Sequence, residues 1–138
     1  TAEQVRFIQS TPLCFTAASG LYCSIDNQWK RKSLPPANDS VAGLVAPSGG
    51  SWWITKDDYL FVAEDGSEQR FRRTRSEQPA GALIAVVSAS GDLAVSSGDS
   101  VDVVSAENGK QHLDLPVSGT AVAHLRYDAD GSLWAGTD

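Results

Sequence analysis

The two cysteines of the chain, Cys14 and Cys23, have the spacing of a pair that faces across a hairpin. A tight turn at Ala18-Ser19 places residues whose numbers sum to 37 opposite each other, and 14 and 23 have that sum. Directly opposed residues bring their Cβ atoms to about 4.5–5.5 Å, which approaches disulfide distance. Two interpretations stay open: a structural disulfide formed in an oxidising compartment, or two reduced cysteines that fill a core position. Zinc is not expected, because no third or fourth Cys or His lies nearby in sequence.

Two groups of carboxylates are candidates for chemistry. Asp57 and Asp58 are adjacent, and paired carboxylates can serve as general acid and base, although neighbours in one turn are usually solvated. Residues 128–132, DADGS, are similar to the opening of a calcium-binding loop. The further ligands of such a loop, which ends on a Glu at its twelfth position, do not follow. We interpret this segment as a glycine turn in which Asp caps its own backbone, and we expect no metal and no cofactor.

The histidines, His112 and His124, give no sign of catalysis. Neither has a nucleophile and an acid at the local spacing that Ser/His/Asp or Cys/His enzymes use. The sequence therefore predicts no catalytic residue and favours a protein that is not an enzyme.

The elements that must position these residues form a repeat. A glycine turn, a short apolar run and a Thr or Ser return three times, opened by Gly50, Gly91 and Gly131 at spacings of 41 and 40 residues. A degenerate copy occupies residues 11–16. A period near 40 that carries only strand-like segments is typical of β-propeller blades. The sequence predicts an all-β fold, namely a β-propeller arc of three four-stranded blades plus the first half of a fourth.

The blades are predicted within a single propeller segment, residues 1–138. Blade one covers 1–34, blade two 40–74, blade three 81–115 and the partial blade four 121–138. The predicted strands are 2–8, 13–17, 20–25, 29–34, 40–47, 52–56, 59–64, 68–74, 81–88, 93–96, 100–105, 110–115, 121–128 and 133–137. Propellers close with about four to eight blades, so such an arc leaves two bare sheet faces. We expect a fragment or a subunit of a larger closed propeller, whose partner is the remaining blades in another chain or copy.

The last repeat carries a family resemblance. Residues 128–137, DADGSLWAGT, closely resemble the repeat of the two-component-regulator propeller family, D-x-D-G-x-L-W-I-G-T followed by two turn residues and G-L-Y. Residues 13–22 resemble the same unit with Cys14 in place of Trp, and residues 52–61 also fit. The third repeat departs furthest, with Ala94 at the Trp position and Asp102 where an aromatic residue is usual.

This resemblance implies a function. In that family the propeller is the extracytoplasmic sensing region of membrane-bound sensor kinases, diguanylate cyclases and related regulators. Streptogramin lyases and several lectin-like propellers have similar repeats, so the fold does not determine the activity. The resemblance thus implies a periplasmic or extracellular signal-transduction module.

Tryptophans and basic residues recur along the repeats. Trp53 and Trp134 are predicted at equivalent positions, buried between blades, which leaves Trp52 and Trp29 as ligand candidates. Seven of the eleven Lys and Arg residues lie on or just after the fourth strands of blades one and two: Lys30, Arg31, Lys32, Arg70, Arg72, Arg73 and Arg75. They are interpreted as charges that protect exposed edge strands, or as a belt for an anionic partner.

Binding residues are expected in the loops. Connections between blades and turns between second and third strands cluster on one face of a propeller, and loops on a rigid scaffold usually carry binding functions. His124 and Arg126 are placed on an inner strand, where they face either a ligand in the channel or channel water. The predicted ligand-binding residues are Asn38, Asp39, Asp57, Asp58, Tyr59, Arg75, Gln78, Asp99, His124 and Arg126.

Composition excludes some partners. A net charge of −6 argues against nucleic acid, and no run of 18 apolar residues is present, so no transmembrane segment is expected in this chain. The leading hypothesis is a non-catalytic propeller that senses a saccharide, another small molecule or a partner domain. The alternatives are a fragment of a streptogramin- or glycan-lyase-like propeller, and a self-assembling lectin-like or protein-binding module.

Overall fold

The computed structural model describes residues 4–73, 83–96, 98–116 and 121–137. All the regular secondary structure in this part of the chain is β-strand. The strands are β1 (Phe7–Gln9), β2 (Cys14–Ala17), β3 (Gly20–Ile25), β4 (Gln28–Ser33), β5 (Ala42–Val45), β6 (Ser51–Ile54), β7 (Asp58–Val62), β8 (Glu68–Arg72), β9 (Ile84–Val87), β10 (Leu93–Ser96), β11 (Ser100–Ser105), β12 (Gly109–Asp114), β13 (Val122–Tyr127) and β14 (Leu133–Thr137).

The strands form three four-stranded sheets and one two-stranded sheet, which we number one to four in chain order. Within each sheet the strands follow one another in sequence order, and the paired strands run antiparallel. This arrangement confirms the predicted all-β fold and the predicted four-stranded repeat. No helix in the described residues has the length and apolar composition that crossing a bilayer requires.

Turn residues explain the hairpins. Asp26 and Asn27, both with positive φ, form the two-residue turn between β3 and β4, which matches the type I′ geometry that suits the twist of paired strands. Gly131 has a φ of 90°, and its N–H donates to the carbonyl oxygen of Asp128 at 3.0 Å. A residue with a side chain rarely adopts that backbone conformation, so the glycine of the repeated phrase is required by the turn.

Most predicted strands are present but shorter than expected. The main difference is the first one, which begins at Phe7 instead of residue 2, although the N–H of Arg6 still donates to the carbonyl oxygen of Thr16 at 2.7 Å. Val5 is exposed and pairs with no strand in the described residues. Residues 2–3, 74 and 81–82 of the predicted strands lie outside the described residues.

The chain divides into two compact units, and the first contains Thr1–Val45 and Gly49–Arg70. Its core joins the first sheet to the second, because Cys14, Leu21 and Cys23 pack against Trp53 and Leu60. These side chains are almost completely removed from water, so their burial stabilises the contact between the two sheets.

Hydrogen bonds reinforce the contact between the first two sheets. Thr16 Oγ1 accepts from the N–H of Gly43 at 2.7 Å and donates to its carbonyl oxygen at 3.1 Å. Gln9 makes the same two kinds of bond with Val45, at 2.8 and 3.1 Å. A Cβ atom at Gly43 would lie 2.9 Å from the Trp53 ring, so glycine is required for this close approach.

The second unit contains Ala46–Ser48 and Phe71–Asp138. Ala94 and Val101 of the third sheet pack against Val122 and Leu125 of the fourth, and Leu133 is partly buried against this core. The N–H of Val122 also donates to the carbonyl oxygen of Gly98 at 2.9 Å.

Strand pairing corrects the predicted equivalence of Trp53 and Trp134. Val45 pairs with Ser51 across residues 46–50, and Tyr127 pairs with Leu133 across residues 128–132, a connection of the same length. The residue that follows each of these pairs is Trp52 in the second sheet and Trp134 in the fourth. Trp52, not Trp53, is therefore the counterpart of Trp134.

The error was a shift of one residue, and in a strand such a shift moves a side chain to the opposite face. It arose because Gly49 and Gly50 are adjacent, and both have positive φ, so that either one fits the repeated phrase. The expected burial also differs between the two counterparts. Trp52 is completely buried, whereas Trp134 is 59% exposed in the single chain because it lies on the face of β14 opposite to the core residue Leu133.

Candidate functional site

Asn38 and Asp39 lie exposed in the connection that follows β4. Ser40 beneath them is buried, and its hydroxyl donates to the carbonyl oxygen of Ala37 at 2.8 Å. Arg6 donates from its guanidinium to the carbonyl oxygen of Ser40 at 2.9 Å. The two polar side chains are thus presented to solvent on a connection whose backbone is held in place.

Three predicted ligand residues lie in the turn between β6 and β7 or at the start of β7. Asp58 accepts a hydrogen bond from Arg70 at 3.1 Å, and its N–H donates to Thr55 Oγ1 at 3.0 Å. Asp57 is half-buried beside it. Tyr59 is only 1% exposed, because it starts the buried face of β7, so the structure does not present its side chain to a ligand in solution. This corrects its expected position at the surface.

The other predicted ligand residues belong to the second unit or lie outside the described residues. Asp99 is exposed in the turn between β10 and β11, and Arg75 and Gln78 fall in the undescribed segment. His124 and Arg126 are exposed on one face of the fourth sheet. Arg126 is paired with Trp134 across the strands, so both lie on the sheet face that points away from the core of their unit.

Asp128 organises that exposed face. Its carboxylate accepts a hydrogen bond from Trp134 Nε1 at 2.6 Å and lies 3.4 Å from the Arg126 guanidinium. His124 lies beside Gly136, where a Cβ atom would be 3.5 Å from the imidazole ring. The face therefore combines an indole ring, a cation and an imidazole, which is the composition of a surface that packs against or recognises another molecule.

Cys14 and Cys23 are joined in a disulfide, and their strands pair in the predicted register. The structure thus decides between the two interpretations of the cysteines. Both residues are buried in the core that contains Trp53 and Leu60, so the bridge is structural and is shielded from solvent.

A second group of titratable residues was missed by the sequence analysis. Nδ1 of His112 lies 2.7 Å from Asp102 Oδ1, and Nε2 lies 3.1 Å from Asp114 Oδ1. Asp102 is buried, whereas Asp114 is exposed. The hydrogen bond that His112 donates to Asp102, opposed by burial, raises the pKa of His112 above its usual value. Both ring nitrogens contact carboxylates, so this imidazole presents no free nitrogen for general base catalysis.

The sequence contains signals that could have indicated the contact between Asp102 and His112. Asp102 stands where the family resemblance expects an aromatic residue, and it pairs with His112 across β11 and β12. A buried carboxylate needs a partner, and a histidine directly opposite on the neighbouring strand provides one.

Aromatic rings cover the other face of the first sheet. Phe15 stacks on Tyr22 with a centroid separation of 5.2 Å, and it meets Trp29 edge-on at 4.9 Å. Trp29 is 53% exposed, so it stays a candidate for contact with a ligand or partner. Trp52 does not, because it is buried against Phe61 at a centroid separation of 5.0 Å. In the described residues no group of three or more His, Cys, Asp or Glu side chains is arranged to share a metal ion.

Comparison with solved structures identifies the architecture. A virginiamycin B lyase from Staphylococcus aureus matches with a TM-score of 0.59 at 14% identity, over 89% of this chain and 44% of that chain. A streptogramin B lyase matches with a TM-score of 0.60 at 18% identity, over 89% of this chain and 43% of that chain. The extracellular domain of a putative one-component system from B. thetaiotaomicron has a TM-score of 0.39 at 12% identity, over 100% of this chain and 26% of that chain.

At these identities the comparisons show the fold alone. The four sheets match part of a β-propeller, which confirms the predicted fold class. The chain spans less than half the length of the two lyases. No protein-family model and no curated protein matches the chain.

Proposed function

We propose that this chain is part of a non-catalytic propeller in the extracytoplasmic sensing region of a signalling regulator, where it binds a ligand or a partner domain. The observation that carries the proposal is the disulfide between Cys14 and Cys23, buried in the core that joins two propeller sheets. Structural disulfides form and persist in oxidising compartments. The sensing regions of the family that residues 128–137 resemble work in such a compartment.

The environment of the titratable residues supports binding over catalysis. His112 contacts a carboxylate through each ring nitrogen, and Asp58 is paired with Arg70. General acid–base catalysis needs groups that are free to exchange protons with a substrate. Exposed polar residues on held connections, such as Asn38 and Asp39, suit recognition instead.

The proposed partner is the rest of a propeller ring, in another chain or in a further copy. Trp134 and Trp29 are exposed on two different sheet faces, and in a closed propeller each face of a blade is covered by its neighbour. We further propose that the ring responds to a saccharide or another small molecule and transmits that binding to an output domain.

The compartment is tested by thiol labelling. Protein isolated from its native host is unfolded in urea, which exposes the buried cysteines, and is alkylated with iodoacetamide without a reductant and then again after reduction. We expect the label at Cys14 and Cys23 only after reduction. Labelling of both residues before reduction would place the chain in a reducing compartment and overturn the extracytoplasmic assignment.

Turnover is tested separately. The complete protein is incubated with a streptogramin B and with acidic glycans, and products are followed by mass spectrometry. We expect no product, together with saturable thermal stabilisation by at least one small molecule or partner. A ligand at 100 times its dissociation constant adds about 2.7 kcal/mol to the free energy of unfolding. Steady product formation would favour the lyase alternative.

A further inference from the structure

The first unit contains a cavity of about 410 Å³, between the end of β4 and two connections of the second sheet. Cavities that bind small molecules usually measure about 300–1,000 Å³, so this one is large enough for a ligand of a few heavy atoms or more. None of its lining residues is among the ligand-binding residues that the sequence predicted. Its lining residues are Lys32, Ser33, Val45, Gly49, Gly50, Ser51, Val62, Ala63, Glu64 and Gly66.

Two glycines in the cavity wall allow other groups to lie close to their backbone. Gly49 has a φ of 95°, and a Cβ atom there would overlap the carboxylate of Glu64. Gly50 has a φ of 79°, and a Cβ atom there would lie 2.9 Å from both the Phe61 ring and the carbonyl oxygen of Val62. The absence of a side chain at Gly49 lets Glu64 lie close to the backbone at the cavity wall.

Hydroxyl groups form a polar part of the wall. Trp53 Nε1 donates to Ser51 Oγ at 3.1 Å, and the Ser51 hydroxyl donates to Ser33 Oγ at 3.4 Å. Ser51 is buried and is held by the indole of the core, so this chain of bonds fixes the serines from behind. Each hydroxyl oxygen has two acceptor positions, which leaves capacity for a polar ligand.

Two opposite charges line the same cavity. Lys32, at the end of β4, and Glu64, in the β7–β8 connection, are both exposed, and within the described residues neither has a hydrogen bond or an ion pair. Among the described lining residues none is aromatic, whereas sugar-binding sites typically present a ring for stacking. The lining therefore suits a small molecule that carries both charges better than it suits a neutral sugar.

We propose that this cavity binds a small zwitterion of the α-amino acid class, with its carboxylate at Lys32 and its ammonium group at Glu64. The serine hydroxyls and the Val45, Val62 and Ala63 side chains would contact the remainder of the molecule. This inference rests on the proposed sensing function, to which it adds a ligand class and a site.

The test uses the full chain, labelled with ¹⁵N and titrated with four probes. L-alanine carries both charges, alaninamide carries only the ammonium group, N-acetylalanine carries only the carboxylate, and glucose is neutral. We expect L-alanine to shift the amide signals of Gly49, Ala63 and Gly66, the two singly charged probes to bind more weakly, and glucose to leave these signals unchanged.

Charge-neutral variants identify the contacts. Exposed ion pairs contribute about 0.2–1 kcal/mol, so we expect Lys32→Gln and Glu64→Gln each to weaken L-alanine binding by roughly 1.4- to 5-fold. Lys32→Gln should leave alaninamide binding unchanged, and Glu64→Gln should leave N-acetylalanine binding unchanged. Lys30→Gln and Glu68→Gln are the matched controls, since both residues are exposed and neither lines the cavity.

Two results would overturn the site. One is no shift of these amides by L-alanine at 50 mM in the folded chain, and the other is equal binding of all three alanine derivatives by the wild type and both variants. If a different molecule stabilises the chain while these amides stay unchanged, the cavity proposal fails and the sensing function stands. If no ligand and no partner binds anywhere, both proposals fail.

Discussion

At the scale of single residues, two tyrosine hydroxyls are in opposite situations. The hydroxyl of Tyr127 is buried and has no hydrogen-bond partner within the described residues, and burial, with the Asp92 carboxylate adding, raises the pKa of Tyr127 to about 12. The hydroxyl of Tyr22 lies 2.6 Å from Ser19 Oγ. We expect Tyr127→Phe to leave the free energy of unfolding unchanged or to raise it by about 1 kcal/mol, because an unsatisfied buried polar group is removed.

Tyr22→Phe is the matched control for this prediction. It removes a hydrogen bond and should lower the free energy of unfolding by about 0.5–1.5 kcal/mol. Urea denaturation of both variants measures the difference. If Tyr127→Phe destabilised the chain more than Tyr22→Phe does, the hydroxyl of Tyr127 would have a partner in solution.

His112 should make the stability of the chain depend on pH. Its pKa is raised in the folded state, chiefly by the hydrogen bond with Asp102. The resulting stabilisation is fully present below the unfolded-state pKa of about 6.5 and is lost as pH rises through the folded-state pKa. The stability difference between the wild type and His112→Gln should therefore be larger at about pH 5.5 than at about pH 8.5.

Thermal melts of the wild type and the variant at the two pH values measure this difference. The variant Asp114→Asn provides an intermediate comparison in the same melts. Because Asp102 is the larger cause of the shift, this variant should keep most of the pH dependence. A difference between wild type and His112→Gln that stayed constant with pH would show that the imidazole contributes only through packing.

At the scale of elements, the hairpin of β2 and β3 depends on its disulfide. The bridge closes a loop with a sequence separation of 9, and a loop of about that length is stabilised by roughly 2–3 kcal/mol in the chain-entropy model. Replacing both Cys14 and Cys23 by Ala should lower the free energy of unfolding by at least this amount, since side-chain volume is also lost from the core. Denaturation with and without a reductant is the measurement, and the double variant should not respond to the reductant.

The one-residue shift between Trp52 and Trp53 leads to another prediction for elements. Trp52→Ala should cost about 3–5 kcal/mol, because a completely buried indole is removed. In the chain alone Trp134→Ala should cost much less, since the Trp134 side chain is 59% exposed and contributes mainly its bond to Asp128. An equal cost for both substitutions in chemical denaturation would mean that Trp134 is covered in solution.

At the scale of the whole molecule, the single chain leaves several large apolar side chains exposed. Ile8, Leu13, Trp29 and Trp134 are all exposed. Covering a side chain of this size is worth roughly 1.5–3 kcal/mol, so faces of this kind are expected to attract the remaining blades or another copy. We expect light scattering to give a mass that rises above that of one chain with concentration, and the double variant Trp29→Ser, Trp134→Ser to reduce this rise.

A folded wild-type chain that stays strictly monomeric at high concentration would contradict self-association. The proposal would then require a different chain to supply the remaining blades. The double variant should be checked for folding by its far-ultraviolet spectrum, so that loss of association is not confused with loss of structure.

The sequence by itself determined the strand content, the repeat of four-stranded sheets and the strand register that places Cys14 opposite Cys23. These features depend on local signals, because alternation, turn residues and hairpin length act over a few neighbouring residues. The same signals placed the polar loops, but they did not show that Tyr59 is buried. Burial depends on which face of a sheet meets another sheet, and local patterns carry that information poorly.

Only the tertiary structure decided which residues meet across strands and sheets. It showed that Trp52, not Trp53, is the counterpart of Trp134. Strand pairing assigns each residue to one position, whereas the repeated phrase can begin at either of two adjacent glycines. It joined His112 to two carboxylates, and it brought Lys32 and Glu64, from different sheets, to one cavity. Contacts between residues far apart in sequence are made by packing, so spacing along the chain cannot define them.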